Sequence, residues 1–245
     1  MGDGPALALH AVVFIAAIFQ TATGIGFALI AGPFLLIFLQ DGSAVQISIL
    51  LNLLMSAALA PGMIKHVHWQ SLRSLSIGLA CGLPLGIAFF LLADLTMLKL
   101  GAALFIGLAL LPFLRTPSPH QSHGGSMAGM ASGLVAGVMT GFAAMPGPAA
   151  SFYLSGLQNL PRDVVRSTIY ALFILAYGAA LALHLVLTGV AAQTVATGLW
   201  LAPASAAGML AGIPLGRRLS QRQFRLAVAI TLLATAIALV AATLA

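Results

Sequence analysis

Six apolar runs, at residues 44–64, 74–93, 97–114, 167–187, 190–213 and 226–245, constrain this chain more than any motif does. Each can cross a hydrocarbon core of about 30 Å as an α-helix. Charged residues make up only 6% of the chain and mean hydropathy is +1.10, whereas soluble domains carry about 25% charged residues. Strands of membrane β-barrels alternate polar and apolar residues over about 10 positions, a pattern these runs lack. The expected class is therefore an all-α polytopic integral membrane protein.

Two further apolar regions are interrupted. Residues 5–39 are broken around Gln20, Thr21, Thr23, Gly24 and Gly26, and residues 126–157 around Thr140, Gly141, Pro146, Gly147 and Pro148. Their halves read as too short to span, which makes each region a helical hairpin. Loop charge supports this threading, because Lys and Arg concentrate in cytoplasmic loops. Bases lie at Lys65–Arg73, at Arg115, at Arg162–Arg166 and at Arg217–Arg225, whereas the links at 40–43, 94–96 and 188–189 carry none. Only if both broken regions enter and leave on one side do all the basic loops become cytoplasmic and both termini periplasmic.

Each half then holds a hairpin and three spans, an odd number of net crossings, so the halves are inverted repeats. The first repeat is 1–115 (hairpin 5–39, spans 44–64, 74–93 and 97–114), 116–125 is a cytoplasmic linker loop, and the second repeat is 126–245 (hairpin 126–157, spans 167–187, 190–213 and 226–245). Internal similarity points the same way: Gly78-x3-Gly82-x-Pro84-x-Gly86 recurs as Gly208-x3-Gly212-x-Pro214-x-Gly216, and Thr23-Gly24 with Gly32-Pro33 is echoed by Thr140-Gly141 with Gly147-Pro148. Broken segments at corresponding places in two halves are a mark of secondary transporters.

A broken helix in a membrane frees backbone groups that hydrocarbon cannot satisfy unless they line a cavity or meet a polar ligand. The helix that resumes after the break presents free N–H groups and a partial positive charge, which together suit an anion. Gln20, Thr21, Thr23 and Thr140 add side-chain donors, and Met145-Pro146-Gly147 forms the second turn. The alternative is a pair of structural kinks. Asn52, with Ser48 and Ser56 one turn away on either side, forms a polar stripe that serves either interhelical packing or the substrate. Arg166, Ser167 and Thr168 open the span after the second hairpin, with Tyr170 one turn on; Arg166 either pairs with an oxyanion or acts as a topology charge beside Asp163. Gly129, Gly133, Gly137 and Gly141 form a bare stripe suited to close helix packing, and Gly141 adjoins the break.

Several classes are excluded or disfavoured. The four carboxylates, Asp3, Asp41, Asp94 and Asp163, all lie at or beyond the ends of apolar runs, and cation carriers generally need one within the membrane. The Gly-x-Gly at 24–26 lacks the Lys-Ser/Thr of a phosphate-binding loop, and no carboxylate pair or Ser-His-Asp set supports catalysis. Basic clusters on a soluble face, which nucleic-acid binding would need, are missing. His66, His68, His120 and His123 make a weak metal set, His184 fits a hydrogen-bonded packing role ahead of a proton relay, and Cys81 reads as a packing residue. No cofactor is expected.

Taken together, Thr23-Gly24-Ile25-Gly26 through Gly32-Pro33-Phe34-Leu35, the polar span around Asn52, Val67-x-Trp69, Thr140-Gly141 through Pro146-Gly147-Pro148, Arg166-Ser167-Thr168 and the two Gly-x-Pro-x-Gly repeats resemble the sulfite exporter TauE/SafE family over nearly the whole chain. Ala28 and Ala31 stand where that family is usually richer in glycine. The resemblance implies a secondary transporter of the bacterial inner membrane, exporting a small sulfur oxyanion or organosulfonate such as sulfite or sulfoacetate, and leaves room for a homodimer. The expected substrate-binding set is Gln20, Thr23, Gly24, Ile25, Gly26, Ser48, Asn52, Thr140, Gly141, Met145, Pro146, Gly147, Arg166, Thr168 and Tyr170. A non-transporting assembly or channel subunit and a histidine-based metal-ion carrier are the competing classes.

Overall fold

The computed structural model describes residues 3–24, 26–114, 125–157, 160–218, 230 and 233–241. These are helices and short connections: α1 (Asp3–Thr23), α2 (Phe27–Leu39), α3 (Ser43–Leu59), two 3-10 turns (Ala60–Gly62 and Ile64–His66), α4 (Trp69–Leu92), α5 (Leu95–Leu114), α6 (Ser126–Ala143), α7 (Gly147–Gly156), α8 (Arg162–Leu187) and α9 (Ala192–Arg218). A helical stretch at 233–241 follows, and most of the expected span 226–245 lies outside the described residues. Large apolar side chains face outward on many helices, among them Leu7, Phe89, Leu92, Leu104, Val186 and Leu210. So much exposed apolar surface belongs against lipid rather than water.

Among the described residues six helices are long and apolar enough to cross a membrane, and they include α1 and α6, the first arms of the two broken regions. The expectation that both arms of each region fall short is therefore corrected. The polar residues near the end of α1 do not stop the helix because protein surrounds them: Gln20 and Thr21 are buried. In α6 the Thr140 hydroxyl bonds back to the Ala136 carbonyl at 2.6 Å. Only the second arms, α2 and α7, are short, at 13 and 10 residues.

Glycine sets the closest contacts. A β-carbon on Gly78, Gly82 or Gly86 of α4 would run into the backbone of Met130, Leu134 or Val138 of α6, and one on Gly208, Gly212 or Gly216 of α9 into Phe14, Ile18 or Ala22 of α1. Partners rise in number together, so α4 runs parallel to α6, and α9 parallel to α1. Without side chains at the seam, backbones approach closely enough for dispersion to hold helices that lipid would otherwise separate. Cys81 is exposed on α4 and takes no part in this packing.

Helices α3 and α8 are antiparallel. Gln46 Nε2 donates to Thr188 Oγ1 at 3.1 Å and to the Gly189 carbonyl at 3.0 Å, beyond the end of α8. At the opposite end the His68 N–H donates to Thr168 Oγ1 at 2.9 Å. Lys65 and His66, in the turn before α4, and Arg162 at the start of α8 thus share one end of the bundle. Ser126 opens α6 at that same end, because α6 runs parallel to α4 with Gly129 against Ser74.

Candidate functional site

Helix α1 ends at the first break with Gly24 in the left-handed region at φ +87°, its N–H donating to the Gln20 carbonyl at 2.7 Å. Gly26, at φ +133°, then turns the chain into α2. Both conformations favour glycine, which has no β-carbon to clash. Ile25, expected in the site, lies outside the described residues. The Gln20 side chain bridges the gap: Oε1 accepts the Phe27 N–H, the first donor of α2, at 3.1 Å. That bond fixes the amide orientation and turns Nε2 the other way, where no protein acceptor meets it, although Gln20 is only 1% exposed.

The second break has different local chemistry. Ala144 takes the left-handed conformation at φ 59°, with its N–H and that of Met145 turning back to the Thr140 and Met139 carbonyls at 2.9 and 3.1 Å. Pro146 caps α7, whose first residues are Gly147 and Pro148. Proline suits this first turn, where its missing N–H has no intrahelical acceptor to lose.

One face of α8 holds both breaks. The buried Tyr170 hydroxyl donates to the Gln20 carbonyl at 2.8 Å, and seven residues on the Tyr177 hydroxyl donates to the Ala144 carbonyl at 3.1 Å. The Ala144 carbonyl lies past the end of α6, where intrahelical donors run out, and the Gln20 carbonyl, which also accepts the Gly24 N–H, lies in the last turn of α1. Arg166 Nη2 donates to the neighbouring Thr21 carbonyl, placing positive charge at the negative end of α1. Its guanidinium also lies over the Tyr170 ring, 5.9 Å from the centroid.

Between the two breaks lies a small, partly open cavity lined by Gln20, Gly26, Ala28, Leu29, Met145, Gly147, Pro148, Phe173 and Tyr177. Phe173 and Tyr177 straddle the midpoint of the 26-residue α8. The first turns of α2 and α7 both abut this space, and N–H groups in a first helical turn have no intrahelical acceptor. Donors from two helix N-termini and one amide therefore converge, with no carboxylate among the lining residues. Such a cavity suits a compact anion.

The structure brings Gln20, Gly26, Met145 and Gly147 of the expected set to the cavity wall. Gly24 and Pro146 shape the breaks just behind it, and Thr23 is the last residue of α1. Arg166 and Tyr170 hold α1 in place without lining the space. Thr168 Oγ1 is occupied by the His68 N–H and the Val164 carbonyl, the latter at 2.7 Å. Thr140 spends its hydroxyl hydrogen on Ala136. Gly141 belongs to the packing stripe: its β-carbon would lie 2.7 Å from Ile87 N on α4. Ser48 and Asn52 are buried on α3 away from the cavity wall, Asn52 Nδ2 bonding the Ser48 carbonyl at 2.8 Å while Asn52 Oδ1 and the Ser48 hydroxyl have no partner. The echo of Thr23-Gly24 by Thr140-Gly141 is out of register, since Gly24 closes its helix and Gly141 does not.

Sequence reasoning missed Ala28, Leu29, Pro148, Phe173 and Tyr177. The heptad spacing of Tyr170 and Tyr177, each next to an interrupted region in the fold, is the one signal that could have pointed to Tyr177. His68 caps α4 through Nδ1, which accepts the Ser71 N–H at 3.3 Å. Among the described residues no group of three His, Cys, Asp or Glu is placed to hold a metal ion; His120 and His123 lie outside them.

The described helices form a polytopic membrane bundle in which two interrupted helix pairs meet at a cavity. The family model for sulfite exporter TauE/SafE matches residues 9–239. The chain belongs to that family, whose members are membrane transporters of sulfite or related anions. No curated protein and no solved structure matches it.

Proposed function

We propose that this chain exports a small sulfur oxyanion or organosulfonate, sulfite and sulfoacetate being the leading substrates, by alternating access across a bacterial inner membrane. The observation that carries the reading is the buried, unpartnered Nε2 of Gln20, a residue that lines one cavity together with the N-termini of α2 and α7. A sulfonate or sulfite presents three oxygens on one sulfur, enough to accept from the amide and from both helix ends at once. Phe173 and Tyr177 add aromatic surface to the cavity wall, and low polarity beside an anion strengthens its charge-assisted bonds.

The rocking elements in this proposal are inverted repeats, pairing α1–α2 with α6–α7, α3 with α8 and α4 with α9. Its support is the exchange of packing partners: α1 lies along α9 as α6 lies along α4, while α3 and α8 lie against each other at the centre. The end carrying Lys65, Arg73 and Arg162 is then cytoplasmic by the positive-inside rule, and both termini are periplasmic.

Counterflow of labelled sulfite and sulfoacetate in proteoliposomes tests the reading. Accumulation of label against an unlabelled internal pool, lost in Gln20→Met, is the expected result. Well-folded protein that exchanges no sulfur oxyanion would instead favour a non-transporting assembly.

A further inference from the structure

His184 lies in the last turn of α8 on the same face as Tyr177, about 10 Å further along the axis by helical rise. Its side chain is fully buried, and the edge of Phe90 on α4 meets the ring at a centroid distance of 4.8 Å. Hydrogen-bond accounting fixes which nitrogen carries the proton. Thr188 Oγ1 lies 2.8 Å from the His184 carbonyl and 2.9 Å from the Gly189 carbonyl, and its single hydrogen must serve one of these, or two bare oxygen pairs would face each other. The hydroxyl oxygen therefore acts as acceptor toward Gln46 Nε2 and toward His184 Nδ1, which lies at 3.3 Å. This arrangement assigns the proton of neutral His184 to Nδ1. Its Nε2 is a bare lone pair with no partner.

Burial of the ring opposes a charge there, and a second feature offsets this. The Gly141 backbone on α6 faces the ring. Helix α6 ends at Ala143, and the N–H groups of Ala144 and Met145 turn back to Thr140 and Met139, leaving the Gly141 carbonyl among the orphan acceptors of a helix C-terminus. An imidazolium has donors on both nitrogens, one for Thr188 and one for this carbonyl, at the end of a helix whose dipole attracts positive charge. No carboxylate on a packed helix competes: α3 and α6 carry no titratable side chain, α4 carries Arg73 and Cys81, α7 carries Tyr153, and α8 itself carries Tyr170, Tyr177 and, at its far end, Arg162, Asp163 and Arg166. Asp41 and Asp94 lie in the connections at the His184 end, accepting from the Ser43 and Met97 N–H groups.

Building on the transport reading above, we propose that His184 binds the proton coupled to anion movement. An aqueous proton adds to the Nε2 lone pair, forming one N–H bond, and leaves by the reverse step; nothing else is made or broken. The site lies two turns from the cavity wall on one continuous helix face, so occupancy of either bears on the packing of α8 against α4 and α6.

Proteoliposomes with an entrapped pH-sensitive dye and an imposed sulfoacetate gradient test the proposal. Wild-type chain should move protons with sulfoacetate, and His184→Gln should lose the proton signal while keeping exchange of labelled for unlabelled sulfoacetate. Unchanged proton movement in His184→Gln, or wild-type sulfoacetate flux without protons, overturns the proposal and leaves the transport reading standing. A wild type that moves no sulfoacetate defeats that reading instead, and 15N NMR then decides the imidazole, with its signal assigned by loss in His184→Gln. An Nδ1–H tautomer converting to imidazolium on acidification supports the proton site. An Nε2–H tautomer, or a ring that stays neutral to the acid limit of folding, overturns it.

Discussion

Replacing Gln20 separates its two jobs. Oε1 accepts the Phe27 N–H, while Nε2 is buried with no partner on a residue that lines the cavity. Gln20→Glu keeps an acceptor for Phe27 and removes only the outward donor; Gln20→Met removes both. A hydrogen bond to a charged partner contributes about 1.5–3 kcal/mol, which at 1.4 kcal/mol per decade is about a 10- to 150-fold loss of affinity. Gln20→Met should show that loss, and in addition lose about 1–3 kcal/mol of stability because the buried Phe27 N–H is orphaned. Gln20→Glu should bind no more tightly than Gln20→Met, since an ionised carboxylate repels the anion, yet should retain more of the thermal stability. Calorimetric titration with sulfite and sulfoacetate gives the affinities, and thermal unfolding in detergent gives the stabilities. Wild-type affinity in Gln20→Met would refute the assignment of this amide to the anion.

Three other perturbations have defined outcomes. Tyr177→Phe leaves the buried Ala144 carbonyl without its donor, so stability should fall by about 1–3 kcal/mol and anion affinity should weaken as the second break loosens; thermal unfolding and titration read both. Gly82→Val and Gly141→Val each push a side chain into the α4–α6 seam and should lower the yield of monodisperse protein, whereas Gly178→Ala, with open space around it, should leave yield and binding unchanged; size-exclusion profiles report the difference. In a Cys81→Ser background, single cysteines at Ser126 and Pro161 should label from the same side of the membrane, and labelling from opposite sides would break the hairpin topology.

The helical class and the interrupted regions were legible because hydropathy and backbone disruption leave direct marks on a sequence. Arm length was not, since whether Gln20 and Thr140 stop a helix depends on the neighbours that surround them. The site was half legible for a related reason. Glycine and proline reveal where backbone breaks, which located Gly24, Gly26 and Gly147, but they also mark helix seams, and nothing local distinguishes Gly141 in a seam from Gly24 at a break. Arg166 and Tyr170 looked like ligands because they are polar and adjoin a hairpin. In the fold Arg166 Nη2 and the Tyr170 hydroxyl donate to the carbonyl end of α1, and Arg166 Nε is buried without a partner. Phe173 and Tyr177 carried no polar signature as a pair, and only the tertiary arrangement of α8 across both breaks makes them the cavity wall.

The central claim is that the anion sits between the N-termini of α2 and α7, and anomalous scattering from a bound bromoalkyl sulfonate tests it most directly. The account predicts sulfonate oxygens within hydrogen-bond distance of Gln20 Nε2 and of first-turn N–H groups from both helices. A sulfonate found instead along the Ser48–Asn52 stripe of α3, or outside the helix bundle, would contradict it.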